Sequence, residues 1–253
     1  MKRVEEYINE KIKSKGCIHM ALVDPDKCTP EEARSISQNC QELGSSALMI
    51  GGSTCVGGGP LDETVKGLKS GSGLPVILFP GSLFGLSRYA DAVWFMSVLN
   101  STNTYYMTGA QAIGSRMVKE YGLEAIPLGY IIISPGGTAG FISQAMAVPY
   151  DKPEVASIYA LAAQYMGMRF VYLERGSGSD SPVSPKMVQS VKQTASNVKL
   201  IVGGGIRTKE QAKELAKAGA DIIVTGNIIE EKGINELRDI IGGIEEGVNE
   251  RSV

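Results

Sequence analysis

Apolar residues along this chain gather in eight short runs, at 17–23, 46–50, 75–79, 91–96, 126–133, 169–173, 198–202 and 221–224. Each has the length and the Ile, Val and Leu content of a buried strand. Between most of them the spacing lengthens to that of an amphipathic helix, over 30–43, 61–70, 106–121, 153–166, 185–195, 208–218 and 228–247. Strands alternating with helices of this length predict βαβ units and a parallel sheet. Eight units, with glycines and polar residues recurring where the strands end, predict a closed (β/α)8 TIM barrel. The opening MKRVEEYINEKIKSKG is charged throughout and predicts a short amphipathic helix ending at Gly16. No linker interrupts the alternation, so residues 1–253 are expected to form one barrel domain.

One interval departs from the pattern. PGSLFGLSRYA, at 80–90, is too short for a crossover helix and carries Pro80, Gly81 and Gly85. At most a turn is expected, near Ser87–Ala90, so the third crossover helix is shortened or missing. The resulting gap is flanked by Leu83, Phe84, Leu86, Trp94 and Phe95, which suit an apolar guest. The long segments 97–105 and 134–150 are placed to cover or build a site. Tyr105 and Tyr106 start the fourth helix and read as packing residues.

Composition narrows the function classes. Apolar residues make up 43% and charged residues 21%, ordinary values for a globular protein. A net charge of −2 with no basic run argues against a nucleic-acid partner. No apolar stretch reaches the length of a membrane span, and a signal-peptide core is lacking, so a cytoplasmic protein is expected. The four cysteines show no metal-ligand spacing; Cys17 and Cys40 fall in apolar patterns, while Cys28 and Cys55 follow loop motifs.

The chemistry concentrates at strand ends. VKLIVGGGIR, at 198–207, and DIIVTGN, at 221–227, each run from an apolar strand through glycines into a helical pattern. Gly203, Gly204 and Gly205, with Gly226 and Asn227 on the next strand, would let the backbone grip one phosphate at the loops after strands seven and eight. Strand one ends in Asp24-Pro25-Asp26-Lys27, and alternation puts Asp24 on the face of Leu22, Met20 and Ile18, opposite His19. A single carboxylate beside phosphates matches the light protein contribution that Mg2+ requires. Asp26 or Thr29 equally suits the cap of the helix that follows. Strand two ends in Gly51-Gly52-Ser53-Thr54, whose hydroxyls suit a cation or a phosphate oxygen. Strand six ends in Tyr172-Leu173-Glu174, followed by Arg175-Gly176-Ser177-Gly178. Glu174 is placed to take a proton from a substrate hydroxyl, and Arg175 reads as pairing with an outer helix. The sole histidine, His19, faces away from Asp24 and reads as a core residue, so no Ser–His–Asp arrangement is available.

Taken together, HMALVDPDK, IGGST, FPGS, RYADAVWFMSVLN, YLERGSGS, GGGIR and TGN resemble the geranylgeranylglyceryl phosphate synthase family, archaeal ether-lipid prenyltransferases, across nearly the whole chain. The resemblance implies a Mg2+-dependent enzyme that joins sn-glycerol 1-phosphate, through its C3 hydroxyl, to geranylgeranyl diphosphate. It implies Asp24 and Ser53 as metal ligands, with Asp24 also catalytic. It implies a glycerol-phosphate segment of Tyr172, Leu173, Glu174, Arg175, Gly176, Ser177 and Gly178, continued by Gly203–Gly205, Gly226 and Asn227. Glu174 would engage the attacking hydroxyl. A missing third helix and a dimer or hexamer are further implications; separately, with no membrane span, transient membrane contact for product release is expected. Two other functions fit parts of the pattern: a sugar-phosphate isomerase or cyclase barrel, and a non-catalytic phospholigand-binding barrel. The first commonly needs an acid or base on strand five, where this chain reads Ile131-Ile132-Ile133-Ser134.

Overall fold

The computed structural model describes residues 3–52, 57–226 and 234–252. Its strands are β1 (Ile18–Val23), β2 (Ala47–Ile50), β3 (Val76–Leu78), β4 (Ala92–Val98), β5 (Glu124–Ile132), β6 (Phe170–Glu174), β7 (Lys199–Gly203) and β8 (Ile222–Gly226). All pair in parallel, in sequence order, and β8 closes on β1 with Ile18 opposite Ile222. Burial on both faces explains why the strands read as continuous apolar runs. Met20, Met49, Ile77, Trp94, Phe170 and Ile201 fill the barrel, while Ala21, Leu48, Val76, Leu173 and Val202 meet the helices outside it.

The helices are α1 (Val4–Lys15), α2 (Pro30–Leu43), α3 (Gly59–Gly71), α4 (Ala110–Glu120), α5 (Gly137–Ile142), α6 (Pro153–Tyr165), α7 (Pro185–Thr194), α8 (Lys209–Ala218) and α9 (Ile234–Asn249). In α1, Val4, Ile8 and Ile12 recur every four residues and join the interior cluster, so this helix plugs the N-terminal mouth of the barrel. Gly16, with φ of 76°, ends it as expected. At the same end, Asp91 accepts from Lys69 and from the Val76 amide, and Asp221 accepts from Lys192 and from the Leu200 amide. These matched pairs stand before β4 and β8 and tie α3 and α7 to the sheet, leaving the opposite end for chemistry.

Between β3 and β4 there is no crossover helix. Two short turns form there, a 3-10 turn at Leu83–Gly85 and a second turn at Arg88–Tyr89, within the expected Ser87–Ala90 stretch. Ser82 caps the first by accepting from the Phe84 amide, whereas Ser87 is turned inward and donates to Asp62 on α3. Two further details escaped the periodicity. The fourth helix begins as a π turn, Tyr105–Gly109, and the 134–150 segment contains the short helix α5.

Candidate active site

A cavity of about 570 Å3 opens at the C-terminal ends of the strands and runs out through the side of the barrel where the helix is missing. Its polar part is centred on Glu174, at the end of β6. This carboxylate is buried, with 7% exposure, and accepts from the Tyr130 hydroxyl at 3.0 Å and from the Gly176 amide at 2.6 Å. Burial pushes its pKa up, against the lowering effects of Gly176, Tyr130 and Tyr172. A buried carboxylate of raised pKa is the stronger base for a hydroxyl proton. Beneath it, Phe79, Tyr130 and Tyr172 form an aromatic floor, with ring centroids 5.2–5.5 Å apart. Gly203 makes room for that floor: a Cβ there would stand 1.8 Å from the Tyr172 hydroxyl.

The glycine corner lies beside this carboxylate. Ser177, Gly178, Gly204, Gly205 and Gly226 all line the cavity. Gly204 has φ of 86°, and a Cβ on it would come within 2.7 Å of Glu174 Oε1 and 2.8 Å of the Gly176 amide nitrogen. Both conformation and space therefore exclude a side chain where a small anion would sit. Helix α8 starts just beyond, with a capping box between Thr208 and Gln211. Arg207 also lines the cavity here and adds a cation to the corner.

Asp24 stands across the cavity at the end of β1, its side chain 24% exposed. Its Oδ1 accepts from the Asp26 amide at 3.1 Å, capping the Pro25–Lys27 turn, and Lys27 Nζ lies 3.5 Å from Oδ2. The cap of α2 is Thr29, in a capping box with Glu32, so Asp24 is left to face the cavity. A Cβ on Gly52 would approach Oδ1 to 3.1 Å, so the glycine keeps space open beside the carboxylate. Among the described residues no cluster of three His, Cys, Asp or Glu could hold a metal ion by itself. One exposed hard oxygen donor near an anion corner instead fits Mg2+ shared with substrate phosphates.

The apolar arm of the cavity is walled by Leu83, Leu86, Phe95, Met96 and Val98 on one side and by Ala110, Gly114 and Val118 of α4 on the other. Here α4 approaches closely, since a Cβ on Gly114 would lie 3.0 Å from Leu83 Cδ2. Tyr105 and Tyr106 line this arm, so they are wall residues of the cavity rather than packing alone.

Of the residues singled out from sequence, Asp24, Tyr172, Glu174, Ser177, Gly178, Gly204, Gly205 and Gly226 meet at one cavity. Gly176 and Gly203 support it from behind through the contacts above. Ser53 and Asn227 lie outside the described residues. Leu173 points into the outer layer, by strand parity with Val171. Arg175 pairs with no outer helix. Its guanidinium donates to the carbonyls of Ser134, Ser181 and Pro182 and stacks 4.0 Å from the Tyr150 ring, fastening the loops after β5 and β6. Tyr130, Arg207 and Thr138 line the cavity without having been read from sequence. Tyr130 interrupts an aliphatic strand, and that polar group was the available signal. His19 is buried outside the barrel, bonded to the hydroxyls of Ser45 and Thr225 at 2.8 Å each.

Comparison with known proteins accords with this geometry. The model of the PcrB family matches residues 8–244. The chain is 56% identical to a geranylgeranylglyceryl phosphate synthase of Thermofilum pendens, covering 99% of this chain and 98% of that one. It is 54% identical to the enzyme of the same name from Pyrococcus abyssi, over 97% of this chain and 98% of the other. It also superposes with a TM-score of 0.93, at 41% identity, on the crystal structure of (S)-3-O-geranylgeranylglyceryl phosphate synthase from Thermoplasma acidophilum in complex with sn-glycerol-1-phosphate, covering 97% of this chain and 100% of that one. The chain is thus a member of the PcrB family and of the geranylgeranylglyceryl phosphate synthase family with which it shares its barrel from end to end.

Proposed function

We propose that this protein is a Mg2+-dependent prenyltransferase that joins the C3 hydroxyl of sn-glycerol 1-phosphate to C1 of geranylgeranyl diphosphate, releasing diphosphate and forming an ether. The observation that carries this reading is a single cavity in which a glycine-lined anion corner and a buried carboxylate open into an apolar arm. The relatives' names, and the sn-glycerol-1-phosphate bound in the Thermoplasma acidophilum structure, support the choice of substrates.

In this mechanism Ser177, Gly178, Gly204, Gly205 and Gly226 receive the phosphate, assisted by Arg207. That anchorage holds the glycerol hydroxyl beside Glu174, and positioning of this kind contributes several kcal/mol to lowering a barrier, up to about 7–11. Glu174 takes the hydroxyl proton as the oxygen attacks the allylic carbon. Asp24, with Ser53 as the second expected ligand, would hold Mg2+, which when bound neutralises diphosphate charge. The isoprenoid chain lies in the arm between β4 and α4, where water is excluded by apolar walls.

The test is a turnover assay with Mg2+, sn-glycerol 1-phosphate and C15, C20 and C35 prenyl diphosphates, following diphosphate release. Release with the C20 donor, abolished by EDTA and absent with sn-glycerol 3-phosphate, is the expected result. Release with no donor would overturn prenyl transfer.

A further inference from the structure

The π turn at the head of α4 is held by an amide that pays for its place. Gln111 Nε2 donates to the carbonyls of Met96, on β4, and of Tyr106, in the turn, the latter at 3.2 Å. Its Oε1 is buried and has no partner, one of two such buried side-chain atoms among the described residues. An amide left half satisfied in an apolar wall is unfavourable, and an aliphatic side chain of similar size would avoid that cost. A second bond acts alongside: Ser97 Oγ, also on β4, donates to the Met107 carbonyl at 2.6 Å. In a π turn the regular i→i−4 ladder is displaced, and here the Tyr106 and Met107 carbonyls accept from side chains. Both bonds tie to β4 the turn that presents Tyr105 and Tyr106 to the apolar arm.

We infer that Gln111 is a positioning residue for donor specificity: with Ser97 it latches the π turn to β4 and so sets how far the apolar arm extends. This rests on the proposed prenyl transfer for its substrate, but the latch itself does not. Breaking it frees the turn, moves the two tyrosines outward and admits longer isoprenoid chains. The unpartnered Oε1 is the cost of keeping two donors where they are needed.

The experiment compares Gln111→Leu and the milder Ser97→Ala with the unaltered protein. Hydrogen exchange of the 105–109 amides and the ratio of kcat/KM for C35 over C20 donors are measured on each. Each variant should exchange faster at 105–109 and raise the ratio, by about three- to tenfold for loss of one or two hydrogen bonds. Unchanged exchange in both would overturn the latch. Faster exchange with an unchanged ratio would overturn the specificity role and reduce the amide to a brace. If the unaltered protein turns over no prenyl donor, the proposed function fails, while the exchange result still decides the latch. Should Gln111→Leu fail to fold, Ser97→Ala carries both readouts.

Discussion

The hydroxyl of Tyr130 on β5 donates to Glu174 Oε2 on the neighbouring β6 at 3.0 Å. It is one of the groups that hold the Glu174 pKa down against burial. Removing it in Tyr130→Phe leaves the aromatic floor but raises that pKa further. In the proposed mechanism Glu174 must be ionised to act as base, so activity should fall as pH drops through its pKa. The acid limb of kcat/KM should therefore move to higher pH, because a hydrogen bond that favours the ionised carboxylate is lost. A pH profile with an unshifted acid limb would remove Tyr130 from the mechanism.

Asp24 faces the cavity with one oxygen committed to the Asp26 amide and the other near Lys27. Replacing it in Asp24→Ala should lower turnover by about a thousandfold or more, on the scale of losing a charge-stabilising group. Binding of sn-glycerol 1-phosphate, measured by calorimetry, should stay nearly unchanged because the glycine corner lies on other strands. Full activity of this variant in metal-containing buffer would sink the metal assignment.

Gly114 lets α4 approach Leu83 across the gap in the helical ring. Gly114→Leu should fill the apolar arm at that point. Donors of C20 length should then lose at least about tenfold in kcat/KM relative to C10 donors, the equivalent of about 1.4 kcal/mol of overpacking. Steady-state kinetics with both donors decides it; an unchanged ratio would mean the chain takes another path.

His19 is a buried pH-sensitive group whose titration bears on stability. Burial lowers its pKa from 6.5 to about 3. Its folded value lies below its unfolded one, so its stabilising contribution is complete above pH 6.5 and is lost as pH falls toward 3. Over that window stability should drop by up to about 1.4 kcal/mol per pH unit from this group. Urea midpoints of His19→Gln, compared with the unaltered protein between about pH 7 and pH 4, should show a shallower decline. Equal slopes would place the acid sensitivity elsewhere.

Much of the barrel was legible because its determinants are local. Strands buried on both faces must be apolar throughout, so Leu48, Ile77 and Ile201 announce themselves whichever way they point. Helix ends are written in single residues, as at Gly16 after α1. The break at 80–90 was equally visible, since no helix forms in a stretch so short with Pro80 and Gly81. Asp24 and Glu174 could be placed at the site because strand alternation settles which face a residue takes.

Other features depend on partners far away in the chain, and only the tertiary structure decided them. Arg175 serves the loops because the carbonyls of Ser134 and Ser181 converge on it, which no motif records. Tyr130 came to donate to Glu174 because β5 lies beside β6, which pairs residues 44 apart in sequence. The 3-10 turn at Leu83–Gly85 formed in addition to the expected one, capped by Ser82, while Ser87 donates to Asp62 on α3. The tyrosines of the π turn became cavity wall because Gln111 and Ser97 hold that turn to β4. By itself the sequence determined the order of strands and helices and the residue types at the strand ends, since both follow from burial and backbone preference within a few residues. The shape of the cavity those residues share came from packing across the barrel, where each contact joins positions that periodicity cannot pair.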